Sequence, residues 1–227
     1  MSAAEKTALL LVGSPKAKPS TSLRLGEYLL DWLTEDGWSA AVIHINKALE
    51  SEAATAKMLS LADSASLVIL SFPLYVDSLP WGATRALELI ARHRARKKMK
   101  TKQRFMAIAQ NGFPEPSQNR IALDICRQFA KEAGFQWAGG LAMGEGGAIA
   151  GKTLAEMAVM TRHARKALDM AAKALAKNKD VPQAAVVEMA KPMIPGWLYI
   201  RAGNAGWKRA AKKYGTEDSL MVRPYEE

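Results

Sequence analysis

The stretch from Thr7 to Ser22, TALLLVGSPKAKPSTS, restricts the fold more than any other part of the chain. Ala8 to Val12 form an unbroken apolar run that is too short for a helix or a membrane span. Such a run suits a strand covered on both faces, as in a parallel sheet. Gly13 ends it, and Pro15 and Pro19 hold the following residues out of helix. Ser20, Thr21 and Ser22 stand where an N-cap belongs, directly before the periodic apolar residues Leu23, Tyr28, Leu29, Leu30, Trp32 and Leu33.

A strand, a short polar loop and a helix N-terminus in succession form an anion site in physical terms. The first helical N–H groups have no intrahelical acceptor, and the helix dipole places partial positive charge there. Ser14, Ser20, Thr21 and Ser22 add hydroxyl donors, and Lys16 and Lys18 add charge. The same residues also serve as ordinary helix caps, so this stretch alone leaves both readings open.

The pattern then repeats. Ser39 to Ile45, Ser66 to Phe72, Phe105 to Ala109 and Phe135 to Met143 read as further strands. Helical stretches alternate with them: Lys47 to Ala62, Ala83 to Arg92, Gln118 to Ala133, and a long one from Thr153 to Asn178. This alternation indicates βαβ units and a parallel sheet. With 227 residues, 49% of them hydrophobic, the chain can build one large α/β domain, with or without an extension.

Composition narrows the function classes. The net charge of +10 favours acidic ligands or surfaces. The single Cys126 excludes an intramolecular disulfide and any multi-cysteine iron–sulfur or metal site, and the scattered His44, His93 and His163 do not form a zinc site. No metal is expected. No run approaches the roughly 18 apolar residues of a membrane helix, and the N-terminal run is shorter than a signal-peptide core. The expectation is a soluble, cytoplasmic protein. Cys126, flanked by Ile121, Ile125 and Phe129, reads as a core residue.

Two more strand-to-helix loops carry chemistry. Pro73-Leu74-Tyr75-Val76-Asp77-Ser78-Leu79-Pro80-Trp81-Gly82 places apolar and aromatic residues where a simple connector would be polar. Leu74 to Val76 read as ligand contacts, and Leu79 and Trp81 as a staple for the next helix. Gln110-Asn111-Gly112-Phe113-Pro114-Glu115-Pro116 offers an amide, backbone donors and an aromatic ring. GEGGAIAG, Gly144 to Gly151, approaches a dinucleotide fingerprint, but Ile149 occupies the third glycine position and the loop follows the last strand, so a Rossmann site is rejected; a glycine-rich loop beside a ligand, or one that lets a substrate approach the backbone, stays open.

Arg92 to Arg104 contains eight Lys and Arg residues and no acid. It lies at a helix C-terminus, which favours cations, and it has no aromatic residue on which a base could stack. It reads as a solvated helix end, with the 2′-phosphate of NADPH as a weaker use. From Val181 the composition changes, and residues 1–180 and 181–227 read as a domain and a Pro/Trp-rich basic extension. Trp197 to Tyr214 interleaves aromatic and basic residues, but Gly203, Asn204 and Gly206 argue against a continuous amphipathic helix. Packing on its own domain or on a partner subunit is preferred, and no stable membrane or nucleic-acid partner is expected.

Taken in order, the three loops resemble those of the flavodoxin-like NAD(P)H-dependent FMN reductases. GSPKAKPSTS resembles the phosphate loop of that family, SFPLYVDSLP its second loop, and QNGFPE with Gln118-Asn119 its third. The resemblance spans roughly Thr7 to Met170. It implies a doubly wound parallel five-stranded sheet in the order 2-1-3-4-5, with a C-terminal helical extension outside the family core. It further implies that Ser14, Lys16, Ser20, Thr21 and Ser22 hold the FMN phosphate. Pro73, Leu74, Tyr75 and Val76 would line the ribityl chain and one ring edge through their backbone amides, while Asn111, Gly112 and Phe113 close the other side. NADPH or NADH would be the electron donor and a small molecule (flavin, quinone or similar) the acceptor, with no catalytic acid or base. A homodimer would cover the aromatic loop and tail. The alternatives are a flavodoxin-type electron carrier, against which the positive charge counts, and a degenerate scaffold binding nucleic acid or membrane.

Overall fold

The computed structural model describes residues 6–16, 19–97 and 102–223. The chain divides into two compact units, Met1–Met193 and Ile194–Glu227. The change of composition at Val181 therefore precedes the structural division, because residues 181–193 pack with the first unit.

That unit is built on five parallel strands in the order β2-β1-β3-β4-β5. The strands are β1 (Thr7–Val12), β2 (Ser39–His44), β3 (Leu67–Pro73), β4 (Arg104–Gln110) and β5 (Gln136–Met143). Side chains of β1 alternate between two cores, Ala8, Leu10 and Val12 facing one and Leu9 and Leu11 the other. An unbroken apolar run is what a strand covered on both faces requires.

The first core is closed by α1 (Thr21–Glu35), α6 (Arg162–Ala176) and α7 (Gln183–Met189). Ser20 caps α1 by accepting a hydrogen bond from the Leu23 amide at 3.2 Å, and Leu25, Leu29 and Leu33, spaced by one turn, are fully buried. Burial of one leucine contributes about 1.5–3 kcal/mol, so this stripe outweighs any intrinsic helix preference. The second core is closed by α2 (Ile45–Ala48), α3 (Glu52–Ser64), α4 (Trp81–Lys97) and α5 (Arg120–Glu132). Cys126 is fully buried there, and burial pushes its thiol far above the ordinary pKa, which makes it unreactive.

Three boundaries differ from the sequence expectation. The helix expected over Lys47 to Ala62 is two helices, because Ser51 caps a new start by accepting from the Ala54 amide. The long last helix begins only at Arg162. Before it the chain makes turns, tied by the Thr161 hydroxyl donating to Leu154 and by Glu156 accepting from the amide and hydroxyl of Thr153. The third difference is in the second unit, where α8 (Gly196–Tyr214) is one continuous helix through Gly203, Asn204 and Gly206.

The basic run is taken apart by the fold. Arg94 is 2% exposed, donates to the carbonyls of Ala133 and Gly134, and stacks 3.8 Å over the Phe135 ring. Gln103 accepts from Arg94 and donates to the carbonyls of Ala62, Asp63 and Ala65. Arg104 binds the Lys179 carbonyl and pairs with Asp180. His93 and Lys97 both reach Asp63, at 2.7 and 2.6 Å. Burial alone would raise the Asp63 pKa, but these two partners outweigh it and hold the carboxyl below its usual range. Arg94 and Arg104 are thus internal struts rather than a solvated patch.

Glu188 on α7 is tied to α6 by His163 at 2.6 Å and to the turn that follows its own helix by Lys191 at 2.8 Å. The hydrogen bonds from Lys191 and His163 hold its carboxyl at about 2, against an ordinary 4.5. A depressed folded-state pKa stabilises fully above the unfolded value and is lost as pH falls through the folded one. Glu188→Gln is therefore expected to be less stable than the parent at neutral pH, with the gap narrowing from pH 4.5 and closed by about pH 2. Urea midpoints measured across that range check this, and a gap independent of pH would contradict it.

Candidate active site

A cleft of about 230 Å³ opens at the carboxyl ends of β1, β3 and β4, lined by all three sequence-marked loops and by the glycine-rich loop after β5. This is the β1/β3 switch point, where the connections diverge to opposite faces and leave a crevice. The backbone fixes its floor. Gly13 donates to Ser71 at 2.8 Å, Leu74 to the Gln110 carbonyl at 2.7 Å, and Asn111 to Met143 at 3.1 Å.

One end of the cleft forms a cradle of hydrogen-bond donors. Ser14, Ser20 and Thr21 are 6% exposed, and Lys16 stands at the solvent side of the same wall. Ser20 uses an oxygen lone pair to cap α1, which leaves its O–H free to act as a donor. The amides of Thr21 and Ser22 lie in the first turn and have no acceptor within the helix. Ser22 itself is fully buried, accepts from the Gln110 amide at 3.3 Å, and does not line the cleft. Its side chain braces the site from behind. Lys18 lies outside the described residues.

The glycine-rich loop is pinned onto this cradle. Thr21 donates its hydroxyl to the Gly146 carbonyl at 2.8 Å, and Arg24 donates to Gly151 at 2.9 Å. Gly151 has φ +80° and approaches Pro19 so closely that a Cβ would strike its carbonyl. A Cβ on Gly146 would overlap the Gln110 amide oxygen. Gly151 is therefore required by its backbone and its contact, whereas a side chain at position 146 would have to displace Gln110; the close approach of both lets the loop form a wall of the cleft. Gln110, Gly146, Gly147 and Ala150 line it as well, so the glycine-rich loop that the sequence left open as a ligand neighbour lies against the cleft.

At the other end, Tyr75 and Ser78 exchange two backbone hydrogen bonds around a tight turn whose central residues, Val76 and Asp77, have φ +49° and +57°. A β-branched residue in the left-handed region is strained by about 1–3 kcal/mol, and Val76, 99% exposed, has no packing to offset it. Val76→Asn is expected to raise stability by about 1 kcal/mol, since asparagine tolerates that region. A thermal melt checks it, and no gain would show the turn to be unstrained.

The expected ring contacts are partly corrected. Pro73 has no N–H, and the amides of Leu74 and Tyr75 are spent on Gln110 and Ser78. Among the described residues, only the Val76 amide of that set has no recorded acceptor. Pro73, Leu74 and Tyr75 line the cleft, as do Asn111 and Gly112, whereas Val76 and Phe113 stand outside it. Asn111 is 2% exposed and its side chain holds its own loop, donating to Glu115 and accepting from Phe113. Leu79 is buried as expected, but Trp81 is 76% exposed and is not a staple.

Comparison with solved structures identifies the architecture. A Bacillus anthracis FMN-dependent NADH-azoreductase in complex with FMN aligns over 75% of this chain and 99% of its own, at 15% identity and a TM-score of 0.53. An NADH:FMN oxidoreductase in apo form aligns over 84% and 96%, at 17% identity and a TM-score of 0.52. The chain has a flavodoxin-like fold. A Desulfovibrio gigas rubredoxin oxygen:oxidoreductase also aligns with it, over 82% of this chain but only 38% of its own, at 11% identity and a TM-score of 0.53. No protein-family model and no curated protein matches the sequence. A flavodoxin-like sheet hosts many activities, so function has to be argued from the cleft.

Proposed function

We propose that this chain is an FMN-dependent oxidoreductase that takes hydride from NADH or NADPH and passes electrons to a small acceptor such as a flavin, a quinone or an azo or nitro compound. The observation that carries this reading is the anion cradle of Ser14, Lys16, Ser20 and the α1 N-terminus, set beside a rim of Leu74 and Tyr75. The FMN-linked names of the two solved oxidoreductases agree with it.

The residues fit a flavin mononucleotide. Hydroxyl donors, first-turn amides and one lysine suit a phosphate. At about 230 Å³ the cleft is smaller than the ~300–1,000 Å³ typical of enclosing pockets. A ligand of this size would seat one end there and leave the other at the mouth, near the exposed Tyr75 and Phe113. When bound, FMN supplies the hydride-accepting centre and onward electron transfer. The chain's part is to hold the phosphate through Ser14, Lys16, Ser20 and the Thr21 and Ser22 amides, to flank the ring with Leu74 and Tyr75, and to offer the Val76 amide to a ring acceptor. No side-chain acid or base is required of it. The basic run supplies no 2′-phosphate contact in this reading, because it begins β4 while the cleft lies where β4 ends. A homodimer covering Trp81 and Phe113 belongs to the same reading, and light scattering tests it.

The activity test is oxidation of NADH and NADPH by FMN-loaded protein, with acceptors from each class. Turnover with at least one pair is expected. Absence of turnover with every pair would overturn the oxidoreductase reading.

A further inference from the structure

The second unit carries a feature that flavin chemistry does not use. α8 runs for 19 residues from Gly196 to Tyr214 and contains Arg201, Lys208, Arg209, Lys212 and Lys213 but no acidic residue. Ile200, Trp207 and Tyr214 recur every seven residues and share one side with Gly203 and Ala210. The five cations occupy the other side. Trp207 is 72% and Tyr214 75% exposed, and Ala211 is the helix's sole buried residue. Past the helix, Leu220, Met221 and Val222 are exposed as well. Gly203, Asn204 and Gly206 do not interrupt the helix, so the objection the sequence raised to an amphipathic surface falls.

We propose that α8 lies in the interface of an anionic lipid bilayer, with Ile200, Trp207 and Tyr214 at the headgroup–acyl boundary and the five cations toward acidic headgroups. An apolar strip bearing Trp and Tyr, flanked by Lys and Arg and low in net hydrophobicity, is the composition that rests in an interface without spanning it. Among the described residues no helix is long and apolar enough to cross a membrane. The charge selects the occupant. A second copy would bring two acid-free cationic helices together, which repel. Nucleic acid would satisfy the cations but leave the Ile200–Trp207 strip in water. An anionic bilayer satisfies both faces.

The test is co-sedimentation of the full chain with vesicles of phosphatidylcholine alone and of phosphatidylcholine with phosphatidylglycerol. Binding is expected to the anionic vesicles and to fall as salt rises. Lys208→Gln with Lys212→Gln should weaken it about 25-fold, from roughly a fivefold loss per lysine. Trp207→Glu should weaken it by about tenfold or more. All three positions are exposed, and far-UV circular dichroism confirms that the variants fold. Failure to bind anionic vesicles, or binding indifferent to both variants, would overturn the proposal. So would DNA binding lost in the lysine variant without vesicle binding, or a dimer split by Trp207→Glu. None of these outcomes depends on whether the cleft holds FMN.

Discussion

Lys16→Glu combined with Ser20→Gly is expected to weaken FMN binding about 100-fold while leaving riboflavin affinity within about threefold. The asymmetry follows from where the two residues stand. Both line the anion end of the cleft and neither belongs to the Leu74–Tyr75 rim. Reversing the charge at Lys16 replaces attraction to a phosphate dianion by repulsion, and removing the Ser20 hydroxyl takes away one charge-assisted donor. Together these amount to about 2.7 kcal/mol. Glycine is chosen at position 20 because it caps a helix nearly as well as serine, at a cost of a few tenths of a kcal/mol. The double variant should therefore fold, and a fluorescence titration with each flavin reads the effect. Equal losses for FMN and riboflavin would show that these residues act through the fold and not on a phosphate.

Arg94→Ala is expected to lower stability by about 3–4 kcal/mol, without altering flavin affinity in the molecules that remain folded. The guanidinium is the donor for two backbone carbonyls, those of Ala133 and Gly134, and for the side chain of Gln103. Truncation strands the Ala133 carbonyl and the Gln103 side-chain oxygen in the interior, removes the stacking on Phe135, and leaves a cavity before β4. Burial lowers the Arg94 pKa but leaves the group charged, so a neutral replacement cannot reproduce its bonds. Lysine offers no planar fork, and Arg94→Lys should recover only part of the loss. Urea unfolding checks this as a shift in midpoint at constant slope. A change of less than about 0.5 kcal/mol would contradict the account of the basic run as internal struts.

The sheet was legible because its evidence is local. Ala8 to Val12 and the later runs announce buried strands by apolar continuity, and Ser20 announces a helix start by position. Strand order followed from the resemblance and not from any run of residues. Much of the cleft could be read too, since Ser14, Lys16, Ser20, Thr21, Pro73, Leu74, Tyr75, Asn111 and Gly112 all meet there. What escaped reading was tertiary. Nothing local shows that Asn111 spends its amide on its own loop, or that Ser22 faces Gln110 at a sequence separation of 88. The glycine-rich loop was noticed but not placed, because its role depends on contacts with Pro19, Thr21 and Gln110. Arg94 and Arg104 looked like surface charge because composition does not reveal which side of a helix faces a neighbour. In α8, glycines that read as interruptions were overridden by helix on both sides, each costing about 1 kcal/mol and not a break.

The measurement that tests the central claim most directly is a calorimetric titration of the purified chain with FMN and, in parallel, with riboflavin. One FMN per chain is expected, at least about tenfold tighter than riboflavin, with excess inorganic phosphate weakening FMN alone. Saturable FMN binding that phosphate competes away would place the anion end of the ligand on Ser14, Lys16, Ser20 and the α1 N-terminus. No saturable FMN binding, or equal affinity for the two flavins, would contradict the assignment of the cleft while leaving the flavodoxin-like sheet intact.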